Sequence, residues 1–289
     1  MAVGPYGALL DAVRGVRWPA RRRVPGGSPG VHQARTRGVA PEFAEYRPYR
    51  QGDDPRRIDW KLLARSDRAF IRLAPDHAVL GTTFVVDASA SMDFPPGGDG
   101  KWALARRLTV ALAAVAHASA DPVGLLVGTP AGPRRLEART RAGVVAELAR
   151  TLDAVVPGGS ASLAPLVALS RERCVVITDC LGDIDATRAA LARHHARGGE
   201  AHLLHLVARE ELEPGDKAIL AVDPEDAACE RPLVEDTRDE YVRRFADWRA
   251  KVARAALADG IRYIEVRDDA LPEALVRRIV STAGQELSA

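Results

Sequence analysis

The sequence predicts an α/β fold with a central, mostly parallel sheet covered by helices on both faces. From residue 82 onward, short apolar runs alternate with longer amphipathic segments, which is typical of strands joined by crossover helices. Two of the strand-like runs end at an aspartate, Asp87 and Asp179. Residues 1–80 lack this alternation and contain many Arg, Asp and aromatic residues. We therefore expect an N-terminal extension with short strands over 1–80 and an α/β domain over 81–289.

Local patterns predict the individual elements in chain order. Residues 82–86 form a continuous apolar strand, and residues 101–118 place Leu104, Leu108 and Leu112 on one helical stripe. Within the extension, residues 70–73 resemble a strand. The other strands are predicted at 123–127, 134–138, 174–178, 202–207 and 262–266, and the other helices at 143–155, 162–170, 185–197 and 238–258.

Composition limits the possible function classes. The chain has 289 residues, of which 47% are hydrophobic and 28% are charged, proportions typical of a globular protein. No apolar run reaches the ~18–20 residues that a membrane span requires. The three cysteines show no C-x-x-C spacing, so neither a disulfide framework nor a zinc knuckle is indicated. We expect a cytoplasmic protein without a membrane span.

Charge is unevenly distributed along the chain. Residues 1–72 carry fifteen basic and seven acidic residues, a net charge of +8, which leaves −6 for the remainder of a chain whose total is +2. This asymmetry indicates an extension that either docks on the acidic main domain or presents its own partner surface. Docking is the simpler interpretation.

A D-x-S-x-S loop directly follows the first strong strand. It consists of Asp87, Ser89 and Ser91 with two alanines between them. Ligands of open parallel sheets lie beyond the carboxyl ends of the strands, and alternate positions allow all three side-chain oxygens to face one point. Oxygen ligands of this kind suit a hard cation such as Mg²⁺.

Two further elements complete a resemblance to a known site. Asp179 ends a second strand, and the loop containing Ser160 and Ser162 offers a hydroxyl. Together the three elements resemble the metal-ion-dependent adhesion site of von Willebrand factor A domains. The resemblance implies bound Mg²⁺, Mn²⁺ or Ca²⁺, with Ser89 and Ser91 as direct ligands and Asp87 and Asp179 binding directly or through water.

Two points about this site stay open. The family usually has Thr in the second loop, and the sequence does not decide whether Ser160 or Ser162 replaces it. The alternative to a metal site is that the two aspartates cap loops and helices while the serines satisfy backbone amides.

A second motif, the upstream block, consists of Arg47, Arg50, Gly52, Asp53, Asp54, Arg56, Asp59, Trp60 and Arg65. The opposite charges of this block favour a hydrogen-bonded network with Trp60 as apolar anchor over direct partner contact, although both roles are compatible. The block resembles the signature of the bacterial family called domain of unknown function 58. That resemblance covers roughly residues 30–210 and implies a von Willebrand factor A-like fold.

The two resemblances imply a non-catalytic, divalent-cation-dependent protein-interaction module. The expected partner is a MoxR-type AAA+ ATPase, with the pair acting in chaperone-like maturation or assembly of other proteins. Two other function classes stay open. A Mg²⁺-dependent phosphoester hydrolase would use Asp87 as nucleophile, but position 89 lacks the second acid that such sites use. Nucleic-acid binding through the basic extension is disfavoured because its basic residues are interspersed with acids.

Overall fold

The structure is a computed structural model that describes residues 4–20, 29–33, 45–50, 53, 55, 58–73, 77–96, 100–215, 220–222, 230–232 and 235–281. The chain divides into two compact units. One unit combines Met1–Trp18 with Gly81–Ala289, and the other is Pro19–Leu80.

The described strands are β1 (Pro29–Gln33), β2 (Glu45–Pro48), β3 (Phe70–Leu73), β4 (His77–Ala78), β5 (Thr82–Asp87), β6 (Val123–Gly128), β7 (Arg134–Arg139), β8 (Arg173–Thr178), β9 (Glu200–Val207), β10 (Leu220–Val222), β11 (Glu230–Pro232) and β12 (Arg262–Arg267). The described α-helices are α1 (Gly7–Ala12), α2 (Trp60–Ser66), α3 (Lys101–Ala118), α4 (Val144–Asp153), α5 (Ala164–Val167), α6 (Ile184–Ala196), α7 (Arg209–Leu212), α8 (Glu235–Ala258) and α9 (Pro272–Val280).

A six-stranded sheet forms the centre of the first unit, and its strand order is β12-β9-β8-β5-β6-β7. All neighbouring pairs are parallel except β6 with β7, which is antiparallel. Strands β5, β6, β8 and β9 are buried along their whole length, which is why β5, β6 and β8 contain uninterrupted apolar runs rather than alternating residues. The predicted α/β fold with a mostly parallel sheet is confirmed.

Helices cover both faces of this sheet, as predicted. On one face, Phe84 and Val86 of β5 belong to a core shared with α1, α3, α4 and α9. On the other face, Val85 of β5 packs in a core shared with α5, α6 and α8. Alternate residues of a strand point to opposite faces, so a single strand contributes to both cores. Among the described residues, no helix is long and apolar enough to cross a membrane.

Residues 4–18 differ from the predicted domain division because they pack with the α/β body. Trp18 is 1% exposed, and its ring lies 6.5 Å from the ring of Phe84 on β5. The guanidinium of Arg173, at the start of β8, stacks over the Trp18 ring at 4.3 Å from its centroid. Burial of a large aromatic ring against the sheet explains why this segment joins the body.

The described residues of the second unit form two antiparallel strand pairs and one short helix. Strand β1 pairs with β4, and β2 pairs with β3, which confirms the strand predicted at 70–73. The side chain of Asp59 accepts hydrogen bonds from the backbone N–H groups of Lys61 and Leu62 and caps the first turn of α2.

Candidate functional site

The two predicted aspartates lie side by side at the carboxyl edge of the sheet. Asp87 is the last residue of β5, and Asp179 directly follows β8, which is parallel and adjacent to β5. The helix after β5 covers one face of the sheet and the helix after β8 covers the other. Connections therefore diverge between these two strands, and ligands of open α/β sheets bind at such a point.

The carboxylate of Asp87 is held by two hydrogen bonds. Its Oδ1 accepts from the backbone N–H of Ser89 at 2.9 Å, and its Oδ2 accepts from the Thr178 hydroxyl at 2.7 Å. The side chain is only 3% exposed. Burial, followed by repulsion from Asp179, raises the pKa of Asp87, although the hydrogen bonds from Thr178 and Ser89 oppose this shift.

The two serines of the D-x-S-x-S loop converge as predicted. The Oγ atoms of Ser89 and Ser91 are 3.2 Å apart, and the residues are 3% and 2% exposed. Their hydroxyls therefore point into a common buried region beside Asp87 rather than into solvent.

The second predicted loop contacts the first through its backbone. Ala90 N donates to Gly159 O at 2.8 Å, and Gly158 N donates to Ala88 O at 2.9 Å. Gly159 has φ +52°, and an added Cβ there would lie 2.6 Å from Cγ of Pro130, so glycine is needed for this close approach. Ser160 and Ser162 follow in the same loop, and both are exposed.

A lysine that the sequence reasoning missed lies at the centre of this edge. Nζ of Lys101, the first residue of α3, donates to Oδ2 of Asp179 at 2.8 Å and to Oε1 of Glu211 at 2.7 Å. Lys101 is 1% exposed. Burial acts to lower the pKa of Lys101, but Asp179 and Glu211 together outweigh burial and raise it, so the ammonium form is favoured.

A signal for this lysine was present in the sequence. Lys101 precedes Leu104 by three positions, so it lies on the same helical stripe as the buried leucines of α3. A lysine on a buried stripe requires an acidic partner. Glu211, the other partner, was also missed, because the stretch after residue 209 shows only an unremarkable cluster of acids.

The candidate ligand side chains at this edge fit the predicted divalent ion only in part. The spacing of Ser89 and Ser91 is compatible with two ligands of one ion. Asp179, in contrast, already has its Oδ2 occupied by the Lys101 ammonium, and its Oδ1 accepts from the backbone N–H of Leu181 at 3.1 Å. Within the described part of the chain, no group of three or more His, Cys, Asp or Glu side chains is arranged to hold a metal ion. Metal binding stays a prediction.

The upstream block is described in part. The Arg50 backbone N–H donates to Oδ2 of Asp53 at 2.8 Å, and Arg65 lies exposed in the last turn of α2. Trp60 is 63% exposed, so its predicted role as apolar anchor is wrong: it begins α2 on the outer surface. Arg47 belongs to β2. Gly52, Asp54 and Arg56, like the side chain of Arg47, lie outside the described residues.

Comparison with known proteins places the chain in a family. Residues 45–255 match the family described as Protein of unknown function DUF58, and the chain belongs to it. It is 28% identical over 276 residues to Uncharacterized protein Rv1480 of Mycobacterium tuberculosis, covering 90% of this chain and 85% of that protein. Uncharacterized protein Mb1516 of Mycobacterium bovis is similar to the same extent.

Solved structures with a similar fold share little sequence with this chain. The conserved hypothetical protein BatB from Bacteroides thetaiotaomicron is 16% identical with a TM-score of 0.43, covering 69% of this chain and 96% of that one. The SpRpn10 VWA domain is 14% identical with a TM-score of 0.40, covering 73% of this chain and all of the domain. The match over residues 45–255 confirms the family predicted from the upstream motif, whereas the metal-ion-dependent adhesion site stays a prediction.

Proposed function

We propose that this chain is a non-catalytic protein-interaction module that binds its partner with the carboxyl edge of the central sheet. The observation that carries the proposal is the convergence of three loops at one point of this edge. The D-x-S-x-S loop is bonded through Ala90 to Gly159, and Asp87 is bonded to Thr178 at the end of the neighbouring strand. This point lies where the crossover connections diverge, which is where open α/β sheets bind their ligands.

An exposed apolar side chain lies next to these buried polar groups. Leu181 is 48% exposed, and its backbone N–H binds Asp179. Protein interfaces commonly combine apolar contacts with a small number of oriented polar groups. Leu181 therefore supplies contact area close to the point where the loops meet.

The proposed partner is a MoxR-type AAA+ ATPase, and the pair would act in chaperone-like maturation or assembly. Support for this partner comes from the family to which the chain belongs and from the resemblance of its motifs. The predicted dependence on Mg²⁺, Mn²⁺ or Ca²⁺ does not enter the proposal, because Lys101 already neutralises Asp179. Dependence of partner binding on a divalent cation stays a prediction.

Two leucines provide a matched test of the binding edge. Leu181 follows the carboxyl end of β8, whereas Leu169 precedes the amino end of the same strand, and they are 48% and 51% exposed. Binding of the full chain to a purified MoxR-type ATPase from the same organism would be measured by biolayer interferometry. We expect Leu181→Asp to raise the Kd by at least about tenfold, or 1.4 kcal/mol, and Leu169→Asp to leave it within about twofold.

Two results would overturn the proposal. One is equal weakening by the two substitutions, because the carboxyl edge would then have no special role. The other is the absence of any binding by a native protein whose circular dichroism shows a folded α/β chain.

A further inference from the structure

The side chain of Lys101 links three connections at the carboxyl edge. It begins α3 after the D-x-S-x-S loop, Asp179 follows β8, and Glu211 lies in α7 after β9. The strands β5, β8 and β9 are neighbours in the sheet. One ammonium group thus joins the loops of three adjacent strands, which is the structural task that a bound ion would otherwise perform.

The burial of this ammonium is tolerated because of its partners. The side chains of Lys101 and Asp179 are each 1% exposed, and that of Glu211 is 11% exposed. A buried charge without partners is strongly unfavourable, whereas short hydrogen bonds to carboxylates compensate for lost hydration. The two contacts, at 2.8 and 2.7 Å, have the lengths of charge-assisted hydrogen bonds.

Asp87, the third acid of the edge, has donors of its own. Thr178 and the backbone N–H of Ser89 each donate to one of its carboxylate oxygens. All three acids therefore have hydrogen-bond donors from the protein. A divalent ion placed among them would lie close to the Lys101 ammonium and would be repelled by it.

We propose that the ammonium group of Lys101 is the resident cation of this edge and takes the place that the motif predicts for a divalent ion. It forms ion pairs with both Asp179 and Glu211 and orders the loops around them. The proposal rests on the same edge as the proposed function, but it concerns the protein alone. Order at this edge is then independent of divalent ions, whatever partner binds there.

Thermal unfolding of the full chain with and without divalent ions tests the proposal. The proteins compared are the native chain, Lys101→Met and the control Lys251→Met, whose lysine is exposed on α8. Each is unfolded in EDTA and in excess MgCl₂ or MnCl₂. An ion present at 100 times its Kd for the folded state would raise Tm by about 5 °C or more.

We expect the native chain and Lys251→Met to have the same Tm, to within about 1 °C, in EDTA and in either salt, because no ion binds. Lys101→Met should unfold at a lower temperature in EDTA, and divalent ions should restore several degrees, because Asp179 and Glu211 then lack their cation. A native Tm that rises by about 5 °C with Mg²⁺ or Mn²⁺, and does not rise in Ser91→Ala, would overturn the proposal.

Further measurements keep the proposal testable if Lys101→Met does not fold. The main point does not depend on Lys101→Met, since an ion-dependent increase in the Tm of the native chain that Ser91→Ala abolishes contradicts the proposal. Lys101→Arg, which retains the positive charge, should fold and show no response to either ion. An increase in the Tm of Lys101→Arg similar to that of an ion-binding protein would also contradict it. Isothermal titration calorimetry of the partner-free native protein with MgCl₂ or MnCl₂ measures ion binding without unfolding. We expect no binding heat, and saturable binding would contradict the proposal.

Discussion

Nζ of Lys101 lies 2.8 Å from Oδ2 of Asp179, and each of the two side chains is 1% exposed. The pair joins the first residue of α3 to the residue that follows β8. It therefore places a protein cation on Asp179, one of the side chains that the sequence predicts to hold a metal ion. The cation beside Asp179 is therefore either this lysine ammonium or a divalent ion that displaces it, and the experiments below distinguish the two.

Breaking this buried pair should be costly. We expect Lys101→Met to lower the free energy of unfolding by about 3–5 kcal/mol, because Asp179 and Glu211 would be left with an uncompensated buried charge. The double variant Lys101→Met/Asp179→Asn should lose at least about 1 kcal/mol less than the sum of the single losses. Urea unfolding of the four proteins of this cycle measures the coupling.

An exposed ion pair serves as the control for that cycle. Arg135 and Glu137 on β7 are 2.7 Å apart with side chains about half exposed, and removing either should change stability by less than about 1 kcal/mol. Coupling in the buried pair no larger than in this exposed pair would show that Lys101 and Asp179 do not interact in solution.

Truncation of two tryptophans should change stability by very different amounts. Trp18 is 1% exposed and packs against Phe84, whereas Trp60 is 63% exposed. Trp18→Ala should lower the free energy of unfolding by about 3–5 kcal/mol because it leaves a cavity, and Trp60→Ala should change it by less than about 0.5 kcal/mol. Urea denaturation followed by circular dichroism measures both changes. A larger loss for Trp60→Ala than for Trp18→Ala would refute the assignment of residues 4–18 to the body.

Stability should decrease as the pH falls below neutrality. Burial lowers the pKa of His202 and of His205 from 6.5 to about 4. The unfolded chain therefore takes up protons first, so the stability contributed by these histidines is present above about pH 6.5 and is lost as the pH falls through about 4. Comparison of native protein with His202→Gln isolates one of them.

The difference in unfolding free energy between native protein and His202→Gln should shift by roughly 2 kcal/mol between pH 7.5 and pH 4.5, to the disadvantage of the native protein at the lower pH. Urea unfolding at the two pH values measures this shift. An unchanged difference would mean that His202 is not held neutral in the folded state.

The phosphoester hydrolase alternative makes a separate prediction about Asp87. Both of its oxygens accept hydrogen bonds, and the residue is 3% exposed. A carboxylate nucleophile needs an oxygen that the substrate can reach. We expect purified protein to show no hydrolysis of p-nitrophenyl phosphate in 10 mM MgCl₂ beyond the rate of Asp87→Asn. Turnover that depends on Asp87 would restore the enzyme hypothesis.

Much of the fold follows from local patterns in the sequence. Strands β5 and β8 contain the apolar runs 84–86 and 174–177 because both faces of the sheet are covered, and α3 has the predicted bounds, 101–118. The positions of Asp87 and Asp179 followed from where these strands end. The close approach of the Ser89 and Ser91 hydroxyls also follows from the sequence, because side chains at alternate positions of one loop can face the same point.

The parts that the sequence did not reveal depend on long-range contacts. Lys101 and Glu211 are 110 positions apart, and no local pattern joins them. The burial of Trp18 depends on Phe84 and Arg173, so a segment that reads as part of an extension belongs to the body. Trp60 was expected to be the apolar anchor of the charged network in the upstream block, but it is exposed at the start of a short helix.

The central claim is that Lys101, rather than a divalent ion, is the cation beside Asp179. The most direct test is a crystal structure from crystals grown in 10 mM MnCl₂, with anomalous diffraction data collected at the manganese edge. We predict the ammonium of Lys101 between Asp179 and Glu211 and no anomalous peak within reach of Ser89 and Ser91. A manganese peak coordinated by those two serines, with the Lys101 side chain displaced from Asp179, would contradict the account.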